Sequence, residues 1–496
     1  MLEEKYESLK KEENLRELLS LLRTEAKDEE NRRKLQEIAG DGNVLCGLLT
    51  NEDAKVRKSA ALLIGTLEIE QAVDALLAAY QSETTLFVKS AYLTALGKLD
   101  AGEHLEYFKQ RYQMLVKQPV ALEEKKHIHE EIKALLEIIL SIEPVKKHTF
   151  TGFLDPHEML LATNREQREV TLGEVSELSA TIRRSAELSP LGVKVYAKEV
   201  IPFTKLRTYR ELLFPLAVKE PVAEKPEIAA EQLWNSGMLE FLKECHKEER
   251  SFFFRIEVKS AESRPEFVKK LGTVLEEKSD WQLINAPKGY EVEIRLLQRK
   301  EGGYLPFLKL FTLPMTRFSY RRNAVATSLH PATAAMLVRL AKPYLKENAQ
   351  ILDPCCGVGT MLIERDICVP AREKYGIDIF GNAIVMAREN ASLAGERINF
   401  IHRNYFDFQH DYKFDEIITN MPMRGKKTKE EMDAFYAEFF RKSKEVLTSD
   451  GIIIMYTNET GFVKKQLRLQ SSYRLLQEFT IRKKDDFRLY IIGIKG

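Results

Sequence analysis

The sequence predicts a multidomain protein with an all-α amino-terminal region, a mixed α/β middle region and a carboxy-terminal α/β domain. Two observations support this prediction. The chain is 496 residues long, which corresponds to about three typical domains. Residues 1–145 carry almost only helical patterns, residues 146–315 mix strand and helix patterns, and residues 316–496 alternate strands with helices. We therefore predict three domains with these boundaries.

The first region, residues 1–145, contains a phrase that recurs 32 residues later. VRKSAALLIGTL at residues 56–67 is similar to FVKSAYLTALGKL at residues 87–99, and Gly65 corresponds to Gly97. The phrases resemble HEAT-type helical repeats, which stack so that neighbouring repeats bury each other's apolar faces. The resemblance implies a surface that binds a protein partner, whereas the alternative is a plain helical bundle.

The middle region contains strand, helix and strand patterns in series. Residues 252–258 and 290–298 alternate as strands, and residues 265–277 have an amphipathic helix pattern. With the basic residues 317–322 that follow, they resemble the carboxy-terminal half of a THUMP RNA-binding domain. Residues 207–216 resemble the earlier half less closely. The alternative is an α/β connector that binds no ligand.

The most informative segment is DPCCGVGT at residues 353–360, which joins an apolar strand at residues 349–352 to a helix. Gly357 and Gly359 fall at the turn, where glycine lets the backbone approach a ligand closely. Leu362 occupies the position where a dinucleotide fingerprint requires a third glycine, so that fingerprint is incomplete. The segment predicts a nucleotide-like ligand of another kind.

Polar residues also follow the next strand patterns. Asp378 ends the second strand of this region, where such folds bind the two hydroxyls of a ribose. Asp407 follows a third strand at residues 398–404, and a carboxylate there can accept a hydrogen bond from an adenine amine. A fourth strand, at residues 414–419, is followed by Asn420-Met421-Pro422-Met423. Either carboxylate alone could be an ordinary strand-end residue, but their order along the chain favours a binding site.

These motifs resemble those of the S-adenosylmethionine-dependent methyltransferases that modify exocyclic amines. In that family the first motif is similar to Asp-Pro-Phe-Cys-Gly-Ser-Gly-Thr and the catalytic motif to Asn-Pro-Pro-Tyr. The resemblance implies a Rossmann-like methyltransferase domain at residues 316–496 with S-adenosyl-L-methionine as its cofactor. Residues 317–335, RFSYRRNAVATSLHPATAA, also resemble the stretch before the first motif in RNA methylases with a THUMP domain. This second resemblance implies tRNA or rRNA as the partner.

The resemblance implies a role for each matching position. Residues of the glycine loop would cradle the methionine part of the cofactor, Asp378 would hold its ribose, and Asp407 would read its adenine. The implied cofactor-binding residues are Asp353, Cys355, Cys356, Gly357, Gly359, Thr360, Asp378, Asp407 and Asn420. The implied catalytic residues are Asn420, Met421, Pro422 and Met423.

The chemistry of amine methylation explains the tetrapeptide. An exocyclic amine is a poor nucleophile because its lone pair is delocalised into the ring. Asn420 can accept one amine hydrogen through its side-chain oxygen, and the backbone carbonyl of Met421 can accept the other. Pro422 restricts Met421 to an extended conformation. The rate gain should come from positioning and electrostatics, without a metal ion.

Two positions of the tetrapeptide depart from the family pattern. Met421 replaces a proline, and Met423 replaces the aromatic residue that would stack on an extruded base. Tyr405, Phe406 and Phe408 are the candidates for the missing aromatic residue. These two replacements affect the identification of the substrate more than the identification of the cofactor.

A basic loop, a histidine and the cysteines near these motifs each allow a functional or a structural interpretation. A basic loop follows the tetrapeptide, and Arg424, Lys426 and Lys427 are predicted to hold phosphates beside the target nucleotide. The alternative is a solvated loop. His330 precedes Pro331, which favours a helix start over a catalytic base. The cysteines lack the paired spacing of a zinc site.

Composition limits the partners and the compartment. Lys and Arg total 76 against 75 Asp and Glu, so a net charge of +1 gives no global attraction to nucleic acid, and RNA contacts must come from local patches. Five cysteines without framework spacing favour a reducing cytoplasm. The amino-terminal MLEEKYESLKKEEN is neither a secretory signal nor an anchor, and no apolar run reaches spanning length. We therefore expect a cytoplasmic protein without membrane association.

The leading hypothesis is methylation of an exocyclic amine in RNA, with the 2-amino group of guanine in tRNA or rRNA as the first candidate. One alternative is an interaction protein that binds the cofactor but has lost catalysis. Another is an amine methyltransferase that acts on adenine in DNA or on glutamine in a protein.

Overall fold

The computed structural model describes residues 2–11, 14–118, 120–121, 123–143 and 146–495. The chain divides into two compact units, Met1–Lys147 and His148–Gly496. The domain boundary that we predict at residue 145 lies outside the described residues, as do residues 1, 12 and 13 of the amino-terminal segment. Within the described part of the chain, every helix is too short or too polar to cross a membrane.

The first unit is built from α-helices. They are α1 (Leu2–Ser8), α2 (Leu15–Glu25), α3 (Glu29–Ala39), α4 (Asn43–Gly47), α5 (Ala54–Thr66), α6 (Val73–Ser82), α7 (Leu86–Leu96), α8 (Leu105–Lys117) and α9 (Lys125–Ile142). Helices α5 and α7 contain the two similar phrases and pack closely, because a Cβ on Gly65 would lie 2.6 Å from the Cα atom of Ala95. The HEAT-type assignment stays a prediction.

The middle region of the chain forms a mixed sheet in the second unit. Its elements are β1 (His157–Ala162), α10 (Arg168–Ser176), β2 (Arg184–Ser189), β3 (Gly192–Ala197), α11 (Ile201–Thr204), β4 (Glu211–Pro215), α12 (Pro226–Trp234), α13 (Met238–Glu244), β5 (Phe252–Lys259), α14 (Pro265–Lys278), β6 (Leu283–Asn285), β7 (Val292–Gln298) and β8 (Tyr304–Leu310). The strand order is β2-β3-β1-β4-β8-β7-β5-β6. Strand β5 is parallel to β6 and β7, and the other neighbours are antiparallel.

The predicted strand, helix and strand of the middle region are β5, α14 and β7. The structure adds the short strand β6 between α14 and β7, and its three residues are too few to show an alternating pattern. Strand β7 begins at Val292 rather than at residue 290, where we predicted its start. The likeness to a THUMP domain stays a prediction.

The carboxy-terminal region forms the second sheet. Its elements are α15 (Pro331–Ala341), β9 (Gln350–Asp353), α16 (Thr360–Cys368), β10 (Glu373–Asp378), α17 (Gly381–Ala394), β11 (Asn399–His402), β12 (Phe414–Asn420), α18 (Lys429–Val446), β13 (Leu447–Thr457), α19 (Thr460–Leu469), β14 (Tyr473–Arg482) and β15 (Phe487–Ile494). The strand order is β11-β10-β9-β12-β13-β15-β14. The first five strands are parallel, and the antiparallel hairpin of β14 and β15 completes the sheet. The α/β fold predicted for this region is confirmed.

Alternating side chains of this sheet enter two separate cores. Ile351 and Ile418 belong to the core that also contains side chains of α15, α16 and α17. Their neighbours Leu352 and Ile417 belong to the core that contains side chains of α18 and α19. Because both faces are covered, these strands are continuous apolar runs, and this explains why the sequence predicts them well.

Strand β11 is shorter than predicted. It ends at His402, whereas we expected a strand to residue 404. The side chain of Asn404 accepts a hydrogen bond from the backbone N–H of Phe406 at 3.1 Å and starts a 3-10 turn, Tyr405–Asp407. This turn changes which side chains face the carboxyl edge of the sheet.

Hydrogen bonds fix the two sheets of the second unit against each other. Arg207 donates two hydrogen bonds of 2.8 Å to the buried carboxylate of Glu364 on α16. The Tyr320 hydroxyl donates to the same carboxylate at 2.6 Å. Asn164, in the loop after β1, donates to the carbonyl of Ile481 on β14 at 2.9 Å. The middle region is therefore held beside the carboxyl edge of the second sheet.

Candidate functional site

A cavity opens at the carboxyl ends of the parallel strands in the second sheet. Strand β9 has β10 on one side and β12 on the other, so the order of the strands reverses there. Open α/β sheets bind ligands at such a reversal. The cavity has a volume of about 860 Å³, within the range of small-molecule sites.

The glycine loop forms the floor of this cavity. Asp353 ends β9 with 1% of its side chain exposed, and its carboxylate accepts a hydrogen bond from the backbone N–H of Cys355 at 3.1 Å. Burial raises the pKa of Asp353 to about 7, and the nearby charge of Asp378 adds to the effect. Gly357, with φ of 51°, needs the left-handed conformation, and a Cβ there would meet no atom within 4 Å. The loop therefore leaves open space for a ligand beside Gly357.

Asp378 connects the glycine loop to the end of β10. Its carboxylate accepts hydrogen bonds of 2.9 Å from the backbone N–H groups of Gly357 and Phe380. Both Asp378 and Phe380 line the cavity, and 67% of Phe380 is exposed. The carboxylate is therefore held in place by the backbone while it faces the cavity.

Asp407, which we predicted to read the adenine, lies outside this cavity. Its side chain is exposed at the end of the 3-10 turn and lies outside the cavity lining, whereas Asn404, Tyr405 and Phe406 line the cavity. Strand β11 ends at His402, before its predicted end at residue 404, and Asp407 is the last residue of the 3-10 turn that follows. Asn404 itself indicates this turn, because asparagine commonly accepts a hydrogen bond from the backbone N–H two residues later.

The predicted tetrapeptide lies beside the glycine loop. Asn420 ends β12, and the backbone N–H of Met421 donates to the carbonyl of Tyr456 on β13 at 3.0 Å. Met421 is buried, whereas 55% of Met423 is exposed at the cavity mouth. All four residues of the tetrapeptide line the cavity.

Most of the predicted site residues meet in this cavity. Besides the tetrapeptide, those that line it are Asp353, Cys355, Cys356, Gly357, Thr360, Asp378 and Lys427. Gly359, Arg424 and Lys426 lie outside the lining. Gly359 instead precedes α16 with φ of 82°. The Arg424 side chain donates to the carbonyl of Lys427 at 3.0 Å, so it closes its own loop.

The two cysteines of the loop remain thiols. Burial raises the pKa of both Cys355 and Cys356, and the carboxylate of Asp353 raises both further. A protonated thiol is a weak nucleophile, so these positions shape the cavity rather than react. In the described part of the chain, no group of three or more His, Cys, Asp or Glu side chains is placed to hold a metal ion.

Phe406 is the best placed of the three aromatic candidates. It lines the cavity, and its ring centroid lies 5.6 Å from that of Phe435, which also lines it. The buried Tyr405 also lines the cavity, but its hydroxyl lies 3.1 Å from the hydroxyl of Ser443. Phe408 is buried outside the lining. Phe406 and Phe435 therefore supply an aromatic surface that Met423 does not.

The side of the cavity away from the glycine loop contains residues that the sequence did not indicate. They are Asn164, Arg210, Tyr456, Ile481, Arg482 and Phe487. The register pairs Tyr456 with Asn420, so a strand-end argument could have identified Tyr456. No sequence pattern around Arg210 indicates that it lines the cavity, because only the packing of the middle region brings it to this position.

His330 begins helix α15, as predicted. Its Nδ1 accepts a hydrogen bond from the backbone N–H of Ala332 at 3.1 Å. Removal from solvent lowers the pKa of His330 to about 4, and the guanidinium groups of Arg210, Arg321 and Arg317 lower it further. The imidazole is therefore neutral at neutral pH and lines the cavity as a helix cap.

Comparison with known proteins identifies the region around this cavity. Residues 319–486 match the family model described as "RMKL-like, methyltransferase domain". The chain is thus similar to a methyltransferase domain over these residues.

Three relatives of known sequence or structure are similar to the chain. "Ribosomal protein L11 methyltransferase" of Thermotoga petrophila is 28% identical over 197 residues, which are 37% of this chain and 64% of the relative. "tRNA (guanine(10)-N2)-dimethyltransferase" of Methanothermobacter thermautotrophicus is 26% identical over 155 residues, 30% of this chain and 45% of the relative. The crystal structure of TrmN from Thermus thermophilus is 21% identical with a TM-score of 0.50, covering 68% of this chain and 99% of that one, and shares the fold.

The residues of the methyltransferase domain fit its cofactor. The cofactor combines a positively charged sulfonium, a ribose and an adenine. The carboxylates of Asp353 and Asp378, the space beside Gly357, and the side chains of Asn404 and Phe380 offer charge, hydrogen-bond acceptors and an apolar surface for these groups. The chemistry of the donor set thus agrees with the comparison.

Proposed function

We propose that the protein methylates an exocyclic amine in RNA, with the 2-amino group of guanine in tRNA or rRNA as the first candidate. The observation that carries the proposal is the position of Asn420, which ends β12 at the same cavity as the glycine loop. The name of the relative from Methanothermobacter thermautotrophicus, "tRNA (guanine(10)-N2)-dimethyltransferase", supports the same substrate class.

The residues of the glycine half would bind and orient the cofactor. When bound, S-adenosyl-L-methionine supplies an electrophilic methyl group on a charged sulfur. The carboxylate of Asp353 would face the methionine part, the carboxylate of Asp378 would accept from the ribose hydroxyls, and Asn404 would contact the adenine. Phe380 would shield the adenine from water, since most of its ring is exposed at the cavity.

The residues of the tetrapeptide would activate the amine. Among the described residues, the Asn420 side chain has no hydrogen-bond partner, so its oxygen is available to accept one amine hydrogen. The carbonyl of Met421 would accept the other, because its N–H is already held by Tyr456. Both acceptors favour localisation of the nitrogen lone pair towards the methyl group, and the amine then loses a proton to solvent.

The charge of the second unit supports a nucleic-acid substrate. Residues 148–496 carry more Lys and Arg than Asp and Glu, whereas residues 1–147 carry the reverse. Lys427 lines the cavity, and its ammonium lies 5.0 Å from the ring centroid of Phe435. Arg424 and Lys426 on the same loop would contact phosphates farther from the target.

We place the reaction in the cytoplasm because the five cysteines are free. We also propose that the helical unit, residues 1–147, binds a protein partner.

Methyl transfer to RNA tests the proposal. Purified protein, radiolabelled cofactor and bulk tRNA or rRNA would be combined, and label in RNA would be counted for wild type and Asn420→Ala. We expect Asn420→Ala to lower the rate by about 100-fold, by analogy with the loss of one aligned hydrogen-bonding group from other active sites. Asn399→Ala, at an exposed strand start, is the matched control. Equal rates for wild type and Asn420→Ala would exclude this role of Asn420.

A second substrate class is favoured by one observation. The relative from Thermotoga petrophila is named as a methyltransferase of ribosomal protein L11, so an amine of a protein is the second candidate. The same assay with ribosomal proteins in place of RNA separates the two classes. Cofactor binding without label in any substrate would instead support a binding protein that has lost catalysis.

A further inference from the structure

The half of the cavity that faces the substrate is shared between the two sheets of the second unit. Arg210, immediately before β4, comes from the middle region, and Arg482 ends β14 of the methyltransferase domain. Both side chains are exposed, and both line the cavity that contains Asn420. A cationic group from the middle region therefore stands at the catalytic cavity.

The backbone around Arg210 is held firmly. Its N–H donates to the carbonyl of Ala162 at 2.8 Å. The guanidinium of Arg317 donates to the carbonyls of Tyr209 at 2.9 Å and of Arg210 at 3.2 Å, and it lies 3.6 Å from the centroid of the Tyr209 ring. These contacts place the Arg210 side chain without using its own guanidinium.

The guanidinium of Arg210 has no carboxylate partner among the described residues. It donates a 3.3 Å hydrogen bond to the hydroxyl of Thr333. The adjacent carboxylate, Glu211, is already paired with Arg295 and with Lys309. Within the part of the chain that the structure describes, the charge of Arg210 is therefore not paired with a carboxylate.

Arg482 is held by an aromatic ring on the other side. Its guanidinium carbon lies 4.5 Å from the centroid of Phe487, and its ion pair with Asp485, at 3.3 Å, is exposed to solvent. The Phe487 ring stacks on Tyr456 with centroids 5.0 Å apart, and Tyr456 is paired with Asn420 in the sheet register. An exposed ion pair of this kind is weak and exchanges readily for a better anion.

We propose that Arg210 and Arg482 bind the phosphodiester next to the target nucleotide and so hold the target base at Asn420. The proposal rests on RNA as the substrate. Guanidinium groups suit phosphate oxygens because their planar N–H donors match the oxygen spacing. The middle region then takes part in substrate positioning at the cavity itself, besides any RNA contact elsewhere.

Replacing either arginine by uncharged glutamine should change the affinity for RNA and its dependence on salt by predictable amounts. Each lost phosphate contact should lower the slope of log affinity against log salt by about one. We expect Arg210→Gln and Arg482→Gln each to raise KM for RNA by about tenfold at low salt, with kcat changed by less than about twofold. Arg210→Lys keeps the charge and should recover part of the affinity.

The experiment measures binding of bulk tRNA and methyl transfer over a salt series. Arg183→Gln, exposed in the middle region, and Arg474→Gln, exposed on β14, are the matched controls outside the cavity lining. Cofactor affinity and the unfolding midpoint of every variant are measured in parallel. They should equal the wild-type values, which separates lost RNA contacts from misfolding.

The outcomes separate this inference from the proposed function. If wild type methylates RNA but Arg210→Gln and Arg482→Gln keep the KM and salt slope of the controls, the inference is overturned and the function stands. If wild type neither binds nor methylates RNA, the proposed function falls and the inference falls with it. A changed slope in both variants, with unchanged controls, supports the inference.

Discussion

The two halves of the cavity are built in different ways. The cofactor half comes from consecutive strand ends, β9, β10 and β11, within residues 353–406. The substrate half combines the tetrapeptide with residues as distant in sequence as Asn164, Arg210 and Phe487. A site made of consecutive strand ends leaves a motif in the sequence, whereas a site assembled by packing leaves none. The cofactor is therefore easier to identify from the sequence than the substrate.

The largest expected effect tests the cofactor half at Asp378. Its carboxylate accepts from the N–H groups of Gly357 and Phe380, and it would also accept from the ribose. Asp378→Ala should weaken cofactor binding by about 100-fold, since hydrogen bonds to charged groups contribute about 1.5–3 kcal/mol each. Calorimetric titration with S-adenosyl-L-methionine measures the change.

Asp407→Ala is the control for this prediction, because Asp407 lies outside the cavity lining. Its affinity should stay within about twofold of wild type. A large loss in Asp407→Ala, with little loss in Asp378→Ala, would reverse our assignment of the two carboxylates.

The next largest effect tests whether Gly359, which lies outside the cavity lining, contributes to the stability of the domain. A Cβ on Gly359 would lie 2.8 Å from the ring of Phe400, and its φ is 82°. Gly359→Ala should lower the free energy of unfolding by about 2 kcal/mol. Urea denaturation measures it. Gly461→Ala, on α19 with no atom within 4 Å of the added Cβ, should be neutral or slightly stabilising. Equal stability of the two variants would contradict the role of Gly359.

The third effect is a pH dependence that belongs to the cofactor half alone. Burial raises the pKa of Asp353 to about 7, so the free protein holds a proton there below neutral pH. The positively charged sulfonium should favour the ionised carboxylate, and binding should therefore release that proton. Cofactor affinity should rise by about tenfold from pH 6 to pH 8 and then level off.

Calorimetry in buffers of different ionisation enthalpy measures the released proton. Asp353→Asn cannot ionise and should bind weakly with no pH dependence over the same range. Without cofactor, the sign for stability is the opposite. The unfolded chain ionises near the ordinary value of 3.8, so the stability contributed by this group declines between about pH 4 and pH 7. Proton release by Asp353→Asn equal to wild type would assign the titration to another group.

The sequence predicted the parallel strands and the glycine loop because they are buried apolar runs that end in turn residues. It overestimated the length of β11, which ends at His402, because Asn404 caps a 3-10 turn instead of continuing the strand. It missed β6 because three residues show no period. It could not place Arg210 in the same cavity as Asn420, since that arrangement depends on the contacts of Arg207 with Glu364 and of Asn164 with β14. Local sequence patterns therefore predict the fold, whereas the residues of the substrate half can be identified only from the packed structure.

The smallest expected effect tests the substrate half at Met423. The side chain is 55% exposed at the cavity mouth, where the related motif has an aromatic residue, and a thioether stacks on a base less well than a ring. Met423→Tyr should lower KM for RNA by about fivefold, because stacking on an aromatic side chain contributes about 1–3 kcal/mol per base and Phe406 already supplies part of it. Cofactor affinity should not change. Met114→Tyr, at an exposed position of α8, is the control. An unchanged KM would mean that Phe406 and Phe435 already provide the full stacking surface. The double variant Phe406→Ala and Met423→Tyr would then show whether the ring at position 423 can replace the ring of Phe406.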